Sequence, residues 1–363
     1  MKVGIVTFHK SSNYGAVLQS FALFHCLKTR VKDVEIIDYD NRFISRGLKK
    51  IRFGLSLHYM YYSLQDIRNY HNNSSKINKF KHFISSRYNL SRKMKKKELL
   101  RTGYDIDILV SGSDQIWNPL LNNGFDEVYF GCFPQVGRKL SYASSVGNYD
   151  FSDKVLNNQL KTLLSDYSHI SCREKSKELS NATGMDVVEV ADPTLLLDKN
   201  EWKESLETYK YSYASDDYLL IYALNDFNHI ITIAERIAKE KGLKVFFIGN
   251  HNFTNKDIVL LNDLGPEEFI NYFDHADYIV TNSFHGTAFS VIFGKQFVSV
   301  YNDKSPERAR SLLQKIGLSS RLVKNEIPSD IGTEELSFAN EKLYELRQNS
   351  LKYLFSAVFE ENR

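Results

Sequence analysis

The sharpest chemical feature of the sequence is a histidine and a glycine at the end of an apolar run, in YIVTNSFHGTAFSVIFG. YIVTN reads as a strand and a helix is predicted from about Thr287, so His285 falls at a strand's carboxyl end beside helix N–H groups. A helix N-terminus favours an anion, imidazole transfers protons near neutral pH, and Gly286 lets backbone come close to a ligand. A capping or core histidine is the competing reading. Arg308 and Arg310, which open a later helix, are candidates to reach the same anion.

Three other strand-to-helix junctions carry residues able to bind or react. In SGSDQIWNP, Ser111–Pro119, small residues expose backbone N–H groups, Asp114 and Gln115 suit sugar hydroxyls, and Trp117 offers a flat apolar face. A helix cap with a core tryptophan reads as well. In HISCREKS, Arg173 stands just past a strand, placed to grip a carboxylate or phosphate bidentately or to pair with Glu174 on the surface. The loop HKSSNYG holds His9, Asn13, Tyr14 and Gly15. It matches neither nucleotide-binding glycine fingerprint, and an ordinary polar loop reads equally well.

These loops need a scaffold. A chain of 363 residues is too long for one ordinary core and implies two domains. Its 42% apolar and 25% charged residues are those of a globular protein, which excludes collagen-like, disordered and disulfide-scaffold classes. No stretch approaches the ~18–20 apolar residues of a membrane span. MKVGIVTFHK reads as a buried strand rather than a secretion signal, and the three scattered cysteines, Cys26, Cys132 and Cys172, fit neither disulfide pairs nor a zinc site. A reducing cytoplasm is the expected location.

Strand and helix patterns alternate along the chain, giving an α/β protein of two Rossmann-like domains facing a cleft. The expected bounds are 1–198 for the N-terminal domain, 199–330 for the C-terminal domain, and 331–363 for a helical tail. Ligands of such sheets bind beyond the carboxyl ends of the strands. A helical insertion at about 42–103 interrupts the first domain. From Arg42 to Arg101 there are 16 Lys/Arg against two acids, a net +14, so the rest carries −11 of the overall +3. A localised anionic partner follows from that asymmetry.

The strings NYGAVLQSFAL, VSGSDQIWNP, SYASSVG, SCREKS, VADPTLLL and VTNSFHGTAFSVIFGKQFV, in this order, resemble the polysaccharide pyruvyl transferase family. The resemblance runs from Lys2 to about Leu322, apart from most of the basic segment. It implies a fold similar to GT-B glycosyltransferases and transfer of a pyruvyl group from phosphoenolpyruvate to two sugar hydroxyls, making a cyclic ketal and releasing phosphate. It places the family's essential histidine on His285 and its anion-binding arginine on Arg173. Many members carry an arginine where Ser283 or Phe284 stands here, so Arg308 is expected to supply that cation. Ser283, Gly286 and Thr287 complete the expected donor site; Asn13, Tyr14, Gly15, Gln115 and Trp117 are assigned to the acceptor.

This chemistry suits the residues. Phosphoenolpyruvate needs cations and helix N-termini, and no metal or other cofactor. Its methylene is protonated, a hydroxyl attacks the resulting cationic centre, phosphate leaves and a second hydroxyl closes the ketal. His285 and Asp114 share the proton transfers, and Arg173 with Arg308 clamps the anion. The resemblance further implies a lipid-linked acceptor, so the basic segment 42–101, with its LHYMYYSL, reads as a contact for anionic lipid or as an insertion packed on the first domain. Nucleic acid is not expected, because no recognised nucleic-acid module accompanies the charge. The rival functions are a nucleotide-sugar glycosyltransferase, which would want a glutamate where Thr287, Ala288 and Phe289 stand, and a non-catalytic partner in polysaccharide assembly.

Overall fold

Short apolar runs such as KVGIV, IDILVS, YLLIY and YIVT form strands that are buried on both faces, as parallel sheets require. A computed structural model of the chain describes residues 1–49, 70–211, 216–249, 251, 255, 257–301, 306–324 and 334–360. The chain forms two compact units: Met1–Leu48, Ile84–Leu196 and Leu346–Arg363 make the first, Lys49–Phe83 and Leu197–Glu345 the second. The larger segment of the second begins at Leu197, against the expected 199. The expected insertion is divided between the units, and so is the C-terminal helix Glu334–Phe359, which was expected to stand as a separate region. Packing rather than chain order sets this division. Ile77, Phe80 and Phe83 are buried in the helix Tyr70–Arg87, while Tyr88 just beyond it bonds to Ser20 and the carbonyl of Val17.

In the first unit, β1 (Lys2–Val6), β2 (Asp33–Ile36), β3 (Ile106–Ser111), β4 (Val136–Ser141) and β5 (Tyr167–His169) form a parallel sheet in the order β2-β1-β3-β4-β5. Strand order reverses between β1 and β3, where a ligand crevice is expected at the carboxyl ends. After β1, Asn13 caps the helix Tyr14–Lys28 by accepting from the Ala16 N–H at 3.2 Å. Two short parallel strands, β6 (Ser171–Cys172) and β7 (Val188–Glu189), lie beyond the sheet. Bridges from Asp114 to Ser144 and from Ser144 to Cys172 bring the loop after β3 beside the end of β6.

The second unit repeats the plan with β8 (Tyr218–Tyr222), β9 (Lys244–Ile248), β10 (Ile258–Leu261), β11 (Tyr278–Thr281), β12 (Gln296–Val300) and β13 (Leu322–Val323), all parallel. The order β10-β9-β8-β11-β12-β13 is the dinucleotide-fold order, with its reversal between β8 and β11. The helix Phe227–Lys241 buries Ile230, Ile233, Ala234, Ile237 and Ala238 at helical spacing and stops at Gly242, whose φ of +68° only glycine adopts readily. Among the described residues no helix is long and apolar enough to cross a membrane.

Candidate active site

In the second unit the loops after β8 and β11 meet at the strand-order reversal. Asn282 ties them: its Oδ1 accepts from the Leu224 N–H at 2.9 Å and its Nδ2 donates to the Asn225 carbonyl at 2.7 Å. The helix after β11 runs Phe284–Ile292, three residues earlier than expected. Ser283 takes extended cap geometry and its carbonyl accepts from Thr287 N–H at 2.9 Å, which closes the first turn around His285 and Gly286. His285 is thus the second helical residue, near backbone N–H groups that have no partner within the helix itself. The residue is 8% exposed and its ring stands edge-on to Phe284 at 5.1 Å.

Arg308 lies with its guanidinium over that same Phe284 ring, 5.6 Å from the centroid. Arg310, the other candidate, pairs instead with Glu307 at 3.0 Å and lies over Tyr301. So the second unit gathers one imidazole, one guanidinium and one helix N-terminus around Phe284, a set suited to an anion that must also be protonated.

Three expected donor ligands, Gly286, Thr287 and Ser283, have packing or hydrogen-bonding roles within the chain. A Cβ on Gly286 would stand 2.1 Å from Thr281 Oγ1, so packing of helix on strand by itself requires the glycine. Thr287 is fully buried; its hydroxyl donates to the Ser283 carbonyl and shares a hydrogen bond with Ser299. Ser283 is itself 2% exposed, and its N–H donates to Thr281 Oγ1.

In the first unit, the Thr7 hydroxyl donates to the Ser113 carbonyl and joins the loops after β1 and β3. Asp114 follows with a φ of +74°, a region in which aspartate is better tolerated than most residues. Its Oδ1 accepts from the Gln115 N–H at 2.8 Å and from Arg173 Nη2 at 3.3 Å. Arg173 also donates from Nη1 to Asp192 Oδ2 at 2.6 Å, and its Nε stands 3.6 Å from Glu174 Oε2. Burial works to lower the guanidinium pKa, yet the three carboxylates raise it above its ordinary value. The sequence paired Arg173 with a donor anion or with Glu174 at the surface; the structure buries it among acids.

The acceptor assignments divide. Gln115 stays half-buried, its Oε1 accepting from Asn118 Nδ2 at 2.8 Å, and Gly147 leaves room for that pair. Asn13 is exposed at the helix cap. Tyr14 and Gly15 are buried in the helix's first turn. Trp117 corrects an expectation: with 0% exposure it stacks on Phe130 at 5.4 Å and donates from Nε1 to the Tyr129 carbonyl, so no face remains for a sugar.

Sequence reasoning missed Asp192, Glu174 and Asn282 as site residues. VADPTLLL was noticed only as part of a resemblance, and Asp192 lies inside it. His9, by contrast, was noticed in its loop but given no role. It is 2% exposed, with Nε2 3.3 Å from Asp38 Oδ1, and Lys10 reaches the same carboxylate. These hydrogen bonds hold Asp38 below its ordinary pKa although burial acts the other way.

Two parallel sheets of this order, with polar loops gathered at their reversal points, define the GT-B type of architecture. A UDP-GlcNAc 2-epimerase from Neisseria meningitidis is similar in structure, with a TM-score of 0.52 at 10% identity over 99% of this chain and 100% of that one. A Listeria monocytogenes protein described as a UDP-N-acetylglucosamine 2-epimerase gives 0.55 at 10% identity, over 98% and 95%. An O-GlcNAc transferase from Thermobaculum terrenum gives 0.44 at 12% identity; the chain spans 64% of its length and is itself covered to 99%. At 10% identity the first two likenesses show the fold alone. No curated protein sequence matches the chain. The polysaccharide pyruvyl transferase family profile matches residues 13–304, most of the chain. The chain belongs to that family, and is an enzyme that transfers pyruvyl groups to polysaccharide.

Proposed function

We propose that the donor is phosphoenolpyruvate and that the product is a cyclic pyruvate ketal on two hydroxyls of a sugar, with phosphate released. The observation that carries this reading is the grouping of His285, Arg308 and a helix N-terminus around Phe284. Arg308 and the helix N–H groups bind phosphate or carboxylate, and His285 delivers a proton to the methylene carbon. The cationic carbon that results bonds to the first sugar hydroxyl, and the proton-accepting group we propose for that hydroxyl is Asp114. The C–O bond to phosphate then breaks, the second hydroxyl adds to the same carbon, and its proton leaves with the phosphate. Gln115 and Asn13 are the acceptor's remaining polar contacts.

Thr287, Ala288 and Phe289 are all fully buried and none is acidic, which supports this reading over a nucleotide-sugar donor held through its ribose. The acceptor we propose is a sugar in a polysaccharide or its lipid-linked precursor, used at the cytoplasmic face of a membrane. Part of the basic segment is committed elsewhere: Lys93 pairs with Asp40, Lys96 with Asp126 and Glu127, and Lys79 with Glu268. The exposed Arg42, beside an exposed Phe43, is the contact we propose for anionic lipid; LHYMYYSL lies outside the described residues.

The test is phosphate release from phosphoenolpyruvate in the presence of acceptor. A His285→Ala protein that folds should lose ~10²–10⁴-fold in kcat, the usual worth of a general acid. Unchanged turnover would remove His285 from the chemistry.

A further inference from the structure

Resting on the reading above, in which the acceptor sugar is carried at a membrane, we infer that Phe43, Leu120 and Leu121 form a wedge that enters an anionic lipid surface and holds the acceptor loop 111–118 beside it. Leu120 is 77% exposed, Leu121 43% and Phe43 55%. The two leucines lie in the one-turn helix Pro119–Asn122 directly after that loop, and Phe43 lies in the helix Arg42–Ser45 that follows β2. Only β1 stands between β2 and β3 in the sheet, so both helices belong to the carboxyl end where the acceptor loop lies.

Three buried asparagines join these elements. Asn118 Oδ1 accepts from the Leu120 N–H at 3.0 Å, and its Nδ2 donates to Gln115 Oε1 at 2.8 Å. Asn122 Nδ2 donates to the Ile116 carbonyl at 3.0 Å, and its Oδ1 accepts from Asn41 Nδ2 at 3.1 Å. Asn41 Oδ1 in turn accepts from the Phe43 N–H at 2.9 Å. The exposed apolar side chains are therefore mounted on a bonded frame shared with the acceptor loop, rather than on a slack tip. Apolar groups held in water at one place are a cost that contact with an apolar partner removes, which marks the ridge as an interaction surface.

Charge decides the partner. Arg42 precedes Phe43, and Arg46 lies over the Phe43 ring, 5.8 Å from its centroid. The stretch RKMKKK, 92–97, runs alongside: the Asp40 N–H donates to the Met94 carbonyl at 2.9 Å, and Lys93 pairs with Asp40 at 3.1 Å. Lys95 and Lys97 are exposed as well. An apolar ridge rimmed by cations fits an anionic bilayer, whose headgroups meet the cations while its acyl region takes the ridge. A second copy of this chain fits worse, because a two-fold axis through the ridge would set the same cations against one another. Gln115, tied through Asn118 to the Leu120 turn, is thereby kept near the lipid plane, where a lipid-linked sugar is presented.

The experiment compares wild type with the double variant Leu120→Ser, Leu121→Ser. It measures sedimentation with vesicles of phosphatidylglycerol and phosphatidylcholine, or of phosphatidylcholine alone, and the thermal midpoint with and without phosphoenolpyruvate. The wedge predicts binding to the anionic vesicles that weakens in salt and falls ~10-fold or more in the double variant, with both midpoints unchanged. A Leu120→Trp protein should gain a fluorescence that acyl-brominated lipid quenches, unlike that of the fully buried Trp117 and Trp202. Wild type that ignores anionic vesicles, or a double variant that binds them undiminished, would overturn the inference. A lowered midpoint without ligand would make the leucines part of the fold, and a wild-type dimer lost in the variant would make the ridge a contact between copies; either overturns it too. Wild type not stabilised by phosphoenolpyruvate would instead overturn the donor reading, whereas the vesicle result reads the wedge alone.

Discussion

Gly286 faces Thr281 so closely that a Cβ there would stand 2.1 Å from the threonine Oγ1, an atom that donates to the Tyr222 carbonyl at 2.6 Å. The glycine next to His285 therefore packs the helix Phe284–Ile292 against β11. Gly286→Ala should destabilise the second unit by about 1–3 kcal/mol through overpacking. Denaturant unfolding measures it. A loss of phosphoenolpyruvate affinity at unchanged stability would instead restore the glycine to the ligand.

Trp117 fills the first unit's core between Phe130 and Tyr167, with rings at 5.4 Å and 6.1 Å. Trp117→Ala should cost about 3–5 kcal/mol of stability. Trp117→Phe keeps most of the packing and should leave the KM for acceptor near wild type. A KM that rises severalfold in a stable Phe variant would return the indole to the sugar site.

Asp274 sits between Lys199 and Lys203, 2.8 Å from each, with its side chain 3% exposed. Burial works to raise its pKa, but the two ammonium groups win and hold it below the ordinary 3.8. A depressed folded-state pKa contributes stability above 3.8 that is lost as pH falls through the folded value, because the unfolded chain takes up the proton first. Asp274→Asn should therefore lower the unfolding midpoint at pH 7, and the gap to wild type should narrow in more acidic solution. Midpoints measured from pH 7 down to about 3 test this; a constant gap would contradict it.

Much of the scaffold was legible because its signals are local. YIV and YLLIY are apolar runs, as strands covered on both faces must be, and Gly242 marks its helix end by itself. The candidate loops 111–119 and 282–286 were found because each follows a strand pattern. What stayed hidden depends on distant partners. Arg173 meets Asp192 19 positions away and Asp114 59 away, so neither spacing nor composition shows that its charge is already taken. Trp117 has the same residue type and setting whether it packs inward or stacks on a sugar. The early start of the His285 helix was missed because Ser-Phe-His-Gly has weak helical propensity, and Ser283 supplies the cap through its backbone carbonyl rather than its side chain.

The most direct measurement is thermal unfolding with phosphoenolpyruvate beside a panel of nucleotide-sugars at equal concentration, on wild type, Arg308→Ala and Arg310→Ala. A ligand at ~100 times its Kd adds ~2.7 kcal/mol to the native state, enough to shift the midpoint visibly. The expected result is stabilisation by phosphoenolpyruvate alone, lost in Arg308→Ala, whose guanidinium lies over Phe284, and kept in Arg310→Ala, whose partner is Glu307. Stabilisation by a nucleotide-sugar and not by phosphoenolpyruvate would contradict the proposed donor.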